Sequence, residues 1–85
     1  MADEMVQQIV VRAVQQAYDA WAAEHPSLAA VIDRISLTEQ TVESLRDSEQ
    51  YRQAVAGYHQ SRSELELLNK LIDLASPILG AILAG

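Results

Sequence analysis

Cysteine is absent, so no disulfide and no thiolate-bound metal can hold this chain together. Phenylalanine is also absent, while Ala, Leu, Val, Ile, Gln and Glu dominate, the balance of an all-helical protein. Glycine occurs three times, at Gly57, Gly80 and Gly85, too scattered to form a phosphate-cradling loop. Positive charge is sparse. Lys70 is the one lysine, five arginines are spread along the chain, and the formal net charge is −6. Binding to nucleic-acid phosphate needs a concentrated positive field, and none exists, so nucleic acid is excluded as a partner. Long apolar runs are lacking as well. The stretch 65–85 is rich in apolar residues but is interrupted by Glu66, Lys70, Asp73 and Pro77, and the uninterrupted remainder from Pro77 onward is too short to span a bilayer. Contact of residues 77–85 with a membrane surface is the one membrane option left open. The N-terminus opens with Asp3 and Glu4 in place of a basic region, so no cleavable secretory signal is expected and the chain reads as cytoplasmic at synthesis.

At 85 residues the chain is read as one domain, 1–85, with a marginal core of its own. With disulfides excluded, helix packing and oligomerisation remain as stabilisers.

Apolar spacing predicts two to three amphipathic helices, arranged as a helical hairpin or a three-helix bundle. The first spans about 3–24, with Asp3 as its cap and Val6, Ile9, Val10, Ala13, Val14, Ala17 and Trp21 as its stripe. His25-Pro26-Ser27 ends it. The second spans 27–46, with Leu28, Val31, Ile32, Ile35, Val42 and Leu45 in one phase; a break at Ser36, capped against Glu39, is the alternative. The third spans 48–76 after a turn at Arg46–Ser48, with a tail at 77–84 kinked by Pro77. Gly57 inside it suggests close approach of a neighbouring helix. Two seven-residue ladders run through this last segment: Tyr51, Tyr58, Leu65, Ile72 and Leu79, and Ala54, Ser61, Leu68, Ala75 and Ile82. They are read as the seam of a long helix packed lengthwise on others. Beside them lies a second stripe of Leu67, Leu71, Leu74 and Ile78, more apolar surface than a small monomer is expected to hide.

Chemistry is hard to find. His25 and His59 lie far apart with no cysteine near either, and both read as solvated. No serine sits in a nucleophile elbow. Glu39, Glu43 and Asp47 share one helical face, where like charges repel mildly, so the face is either solvated or meets a basic partner. A di-metal carboxylate site would need Glu-x-x-His pairs, which are lacking. The reading is therefore a non-enzyme with no catalytic, cofactor or metal residues. Its expected activity is protein–protein association through Tyr51, Tyr58, Leu65, Leu68, Leu71, Ile72, Ile78, Leu79 and Ile82, with a second copy of itself or another helical protein as partner. The alternative is a small acidic adaptor, co-chaperone or inhibitor that holds one specific protein.

Tyr58 precedes Lys70 by twelve positions, with Ala54-Val55 before the tyrosine and Leu71-Ile72 after the lysine. In this the stretch 47–83 resembles the C-terminal half of type III secretion needle and inner-rod subunits. The Asp47–Tyr51 turn is equally similar to the small helical-hairpin co-chaperones of those needles. Ser63 stands where needle subunits usually carry asparagine, Arg46-Asp47-Ser48 replaces their proline-containing turn, and the chain ends in Ala84-Gly85 in place of a basic or aromatic residue. The resemblance implies a self-assembling structural subunit that is exported.

Overall fold

The computed structural model describes residues 2–84, without the side chains of Ala2 and Asp3. Among the described residues the structure is all α-helical: α1 Ala2–Glu24, α2 Pro26–Ala29, α3 Arg34–Arg46, α4 Glu49–Ser61 and α5 Glu64–Ala84. The expected cap at Asp3 rests on a side chain outside that description.

α1 buries the face its spacing predicts: Val6, Ile9, Val10, Ala13, Val14 and Ala17, with Tyr18 added and Trp21 half-buried. His25 ends it, stacking on Trp21 at 5.0 Å between ring centroids. Pro26 then opens the single turn of α2, where its missing N–H costs nothing.

The expected helix over 27–46 is not continuous. α2 ends at Ala29 and the chain turns through residues 30–33 before α3 begins. Asp33 imposes this break: its Oδ1 accepts from the backbone N–H of Ile35 (3.1 Å) and Ser36 (3.4 Å), and its Oδ2 accepts from Ser36 Oγ (2.9 Å). Ser36 thus supports a cap three residues upstream and does not itself start a helix. The break shifts the helical phase, so α3 buries Leu37, Thr41 and Leu45. Thr41 is fully buried, and its hydroxyl is satisfied by the Leu37 carbonyl at 2.8 Å.

The expected helix over 48–76 also divides. Ser48 caps α4 by accepting from the Tyr51 N–H at 3.1 Å, as the turn near Arg46–Ser48 suggested. Fourteen residues later Arg62 adopts the left-handed conformation (φ 58°, ψ 22°) and ends α4, its N–H donating to the Tyr58 carbonyl at 2.7 Å. Ser63 then accepts from the Glu66 N–H at 3.2 Å and starts α5. The seven-residue ladders therefore cross a hairpin and do not form one seam. In the other direction, Pro77 does not interrupt α5, which runs through it to Ala84.

Packing fixes the directions. Ile9 and Arg12 lie beside Glu64, Leu65 and Leu68, while Tyr18 and Trp21 lie with Leu79, Ile82 and Leu83, so α1 and α5 are parallel. Leu37 belongs to the Tyr18–Leu79 cluster and Leu45 to the Val6–Ala75 cluster, so α3 runs antiparallel to both. Gln50 and Ala54 lie beside Lys70, Asp73 and Leu74, and Tyr58 and Ser61 beside Glu66 and Leu67, so α4 also runs antiparallel to α5. α3 and α4 thus lie in series beside α5, within an envelope of 41 × 20 × 19 Å. Arg34 ties the start of α3 to α1 through Asp19 (2.9 Å) and the face of Tyr18 (5.1 Å to the ring centre). The ion pair is largely exposed and contributes at most about 1 kcal/mol.

Gly57 does not mark a close approach. A Cβ there would meet only Lys70 Nζ at 3.9 Å, and one at Gly80 would meet nothing within 4 Å. Gly57→Ala and Gly80→Ala should therefore each stabilise the protein by up to about 1 kcal/mol, read as a raised thermal midpoint. Arg62→Gly should stabilise as well, because glycine adopts the left-handed conformation without penalty. Leu71→Ala should instead cost about 2–5 kcal/mol in denaturant unfolding, since Leu71 is fully buried between α5 and α1.

Candidate functional site

The residues expected to carry association fall on both sides of the core boundary. Leu71 and Leu79 are buried inside the protomer, and the Leu67–Leu71–Ala75–Leu79 row of α5 is covered by α1 together with α3 and α4. Tyr51, Tyr58, Leu68, Ile72 and Ile78 are half-buried against the larger core cluster, and Ile82 against the smaller one. Leu65 is different: it is 68 % exposed at the start of α5, where it lines a shallow groove with Ile9, Arg12, Glu64 and Leu68. The C-terminal stripe that looked surplus in one dimension thus finds most of its cover within the chain. What remains outward is the α5 flank that begins at Leu65 and continues along Leu68 and Ile72.

The larger exposed apolar surface lies elsewhere. Leu28, Val31 and Ile35 are 54 %, 80 % and 72 % exposed, and all three fall within eight residues spanning α2 and the start of α3. Their spacing reads as one apolar stripe only if a single helical phase runs through 27–46, and the break that Asp33 imposes ends that phase. The signal for that break is present as Asp33-Arg34-Ile35-Ser36, an acidic cap with a hydrogen-bonding residue three positions on.

Ile35 also lines a groove of about 810 Å³ between α1 and α3. Val11 and Gln15 form its α1 wall. Arg34, Ile35, Thr38, Glu39, Val42, Glu43, Arg46 and Asp47 form its α3 wall. The carboxylates Glu39, Glu43 and Asp47, read from the sequence as an acidic strip, therefore border a groove that also holds two arginines. The floor is aliphatic and the rim carries both signs of charge.

Other chemistry is thin. His59 is exposed on α4 beside Tyr58, and His25 is exposed with its Nδ1 3.1 Å from the Trp21 carbonyl. No group of three His, Asp or Glu residues is placed to hold a metal among the described residues. α5 as a whole is long and apolar enough to cross a membrane by length and composition, with a mean hydropathy of 1.6 in its most apolar window. Four residues of that helix are nonetheless buried on the protein's own core.

Comparison with protein families, with curated proteins and with solved structures finds no match.

One titrating group sits at the start of α3. The Asp33 carboxyl is held below its ordinary value of 3.8, chiefly by the Ser36 hydroxyl and then by the Ser36 and Ile35 backbone N–H groups. A depressed carboxyl stabilises the fold above its unfolded value and loses that contribution as pH falls through the folded one. The start of α3 should therefore loosen below about pH 4. Asp33→Asn, which can still cap but does not titrate, should show a shallower loss of helicity by circular dichroism across that acid range.

Proposed function

We propose that this protein is a non-enzymatic helical module that works by associating with other protein chains, in the first place with copies of itself. The observation that carries the reading is the exposure of large aliphatic side chains on a cysteine-free chain this small: Leu65 on α5, and Leu28, Val31 and Ile35 on α2, the following turn and α3. Apolar side chains scattered singly are ordinary on a surface; grouped ones mark contact sites. In this reading the outward flank of α5, with Leu65 at its head and Leu68, Ile72 and Ile82 half-covered behind it, packs against another protomer. The role is structural, that of a subunit in an assembly, as the likeness of residues 47–83 to secretion needle and rod subunits implies.

A second reading is supported by the groove between α1 and α3. Its Glu39, Glu43 and Asp47, set among Arg34 and Arg46, suit an adaptor or co-chaperone that holds a helix of mixed charge. The two readings differ in stoichiometry. A structural subunit forms homo-oligomers whose size grows with concentration, whereas an adaptor stays small until its partner is added.

Light scattering on purified full-length protein across a concentration series separates them. Leu65→Asp should lower the oligomer mass while leaving the thermal midpoint nearly unchanged, because Leu65 is mostly solvent-exposed in the protomer. A protein that stays monomeric at the highest concentration reached, and shows no filaments by electron microscopy, would remove the structural-subunit reading.

A further inference from the structure

We propose that the groove between α1 and α3 seats the α3 helix of a second copy of this chain, antiparallel across a twofold axis, with Ile35 of each copy against Val42 of the other. The inference shares with the preceding section only the premise that the chain associates with itself; the contact is a different one.

The argument starts from the chemistry of the wall. A twofold contact is self-complementary, so every residue it brings in must meet a suitable partner from the same short set. On α3 the groove is lined by Arg34, Ile35, Thr38, Glu39, Val42 and Glu43, with Arg46 and Asp47 beyond. Setting Ile35 opposite Val42 in an antiparallel pair fixes the rest of the register. Arg34, which also pairs with Asp19 of its own chain at 2.9 Å, then faces Glu43, and Thr38 faces Glu39. Apolar meets apolar, the guanidinium meets a carboxylate, and a hydroxyl donor meets a carboxylate acceptor, each twice. Val11 on the α1 wall extends the aliphatic floor beneath the incoming helix.

Charge favours this occupant over a strongly basic one. The chain carries −6 overall, so most faces of two copies repel each other. The groove is an exception. It holds two of the six basic side chains beside three acids, which leaves it near neutral. Two copies can meet there with little net repulsion, and the antiparallel arrangement also opposes the two helix dipoles. Ile35 is 72 % exposed, so it has apolar area to lose on dimerisation and contributes little to the protomer's own core.

The test uses full-length protein. Ile35→Glu would bury a carboxylate at the proposed axis-flanking contact. It should weaken dimerisation by about thirtyfold or more in sedimentation equilibrium, the effect of losing an interface anchor, while the thermal midpoint of the dilute protomer stays where it was. The natural absence of cysteine permits a register test. Mixing the Ile35→Cys and Val42→Cys variants under mild oxidation should give the mixed disulfide dimer. Neither variant alone should cross-link efficiently, because equal positions lie seven residues apart along the paired helices, about 10 Å, beyond disulfide reach. Efficient self-cross-linking of either variant would overturn the register. An oligomer untouched by Ile35→Glu but dissolved by Leu65→Asp would overturn this contact and leave the α5 reading standing. A chain that is monomeric throughout would overturn both.

Discussion

The rest of the structure depends on the lengthwise contact between α1 and α5. The two helices run parallel, and each offers a row spaced by four: Val6, Val10, Val14 and Tyr18 on one, Leu67, Leu71, Ala75 and Leu79 on the other. Rows of that spacing form the ridges that interdigitate when helices pack. Ala13, Ala17 and Ala75 lie among the larger side chains and are also buried, so the backbones are not held apart by bulk at every level. Small domains have little core to spare, and this contact supplies most of it. α3 and α4 are then laid across the open side, where Leu37, Leu45 and Ala54 complete the two clusters.

Parallel first and last helices need a connection that returns the full length of the molecule. A single helix could make that return, but the chain uses two in series, and three short polar caps set the corners. Asp33 begins α3, Ser48 begins α4 and Ser63 begins α5, each satisfying backbone N–H groups that a helix start leaves open. At the sharpest corner Arg62 takes a left-handed conformation that favours glycine. That turn is tolerated because the packing on either side fixes the direction of both helices.

Once the core is closed, the large apolar side chains left exposed are Leu65 at the start of α5, Leu28, Val31 and Ile35 around the α2–α3 junction, and, less so, Met5 and Val11 on α1. The α2–α3 junction is short of cover for a local reason. Asp33 starts a new helix whose inward face is Leu37, Thr41 and Leu45, and this turns Ile35 and Val31 outward. A cap hydrogen bond thereby determines which hydrophobic residues serve folding and which are left for contact with another molecule.

The helical class was legible in composition, and the buried face of α1 was legible in spacing, since a 3.6-residue period reports a face whenever the helix is unbroken. The turn at Arg46–Ser48 was legible from a slip of phase and a serine at the right place. The break at Asp33 was legible only as an alternative at Ser36, three residues late, and the one at Arg62–Ser63 was not legible from spacing, although Ser63-Glu64-Leu65-Glu66 carries a capping signature. Apolar residues continued at plausible spacing across both, and a ladder counted through a hairpin still looks like a ladder. Which of the C-terminal leucines are covered was beyond reach for the same reason. Sequence alone determined that α5 is apolar on more than one side. Only the tertiary structure decided that the other helices together cover Leu67, Leu71 and Leu79 while Leu65 stays exposed beside α1, because burial is set by which helix arrives at a face and from which direction, and periodicity carries no information about either.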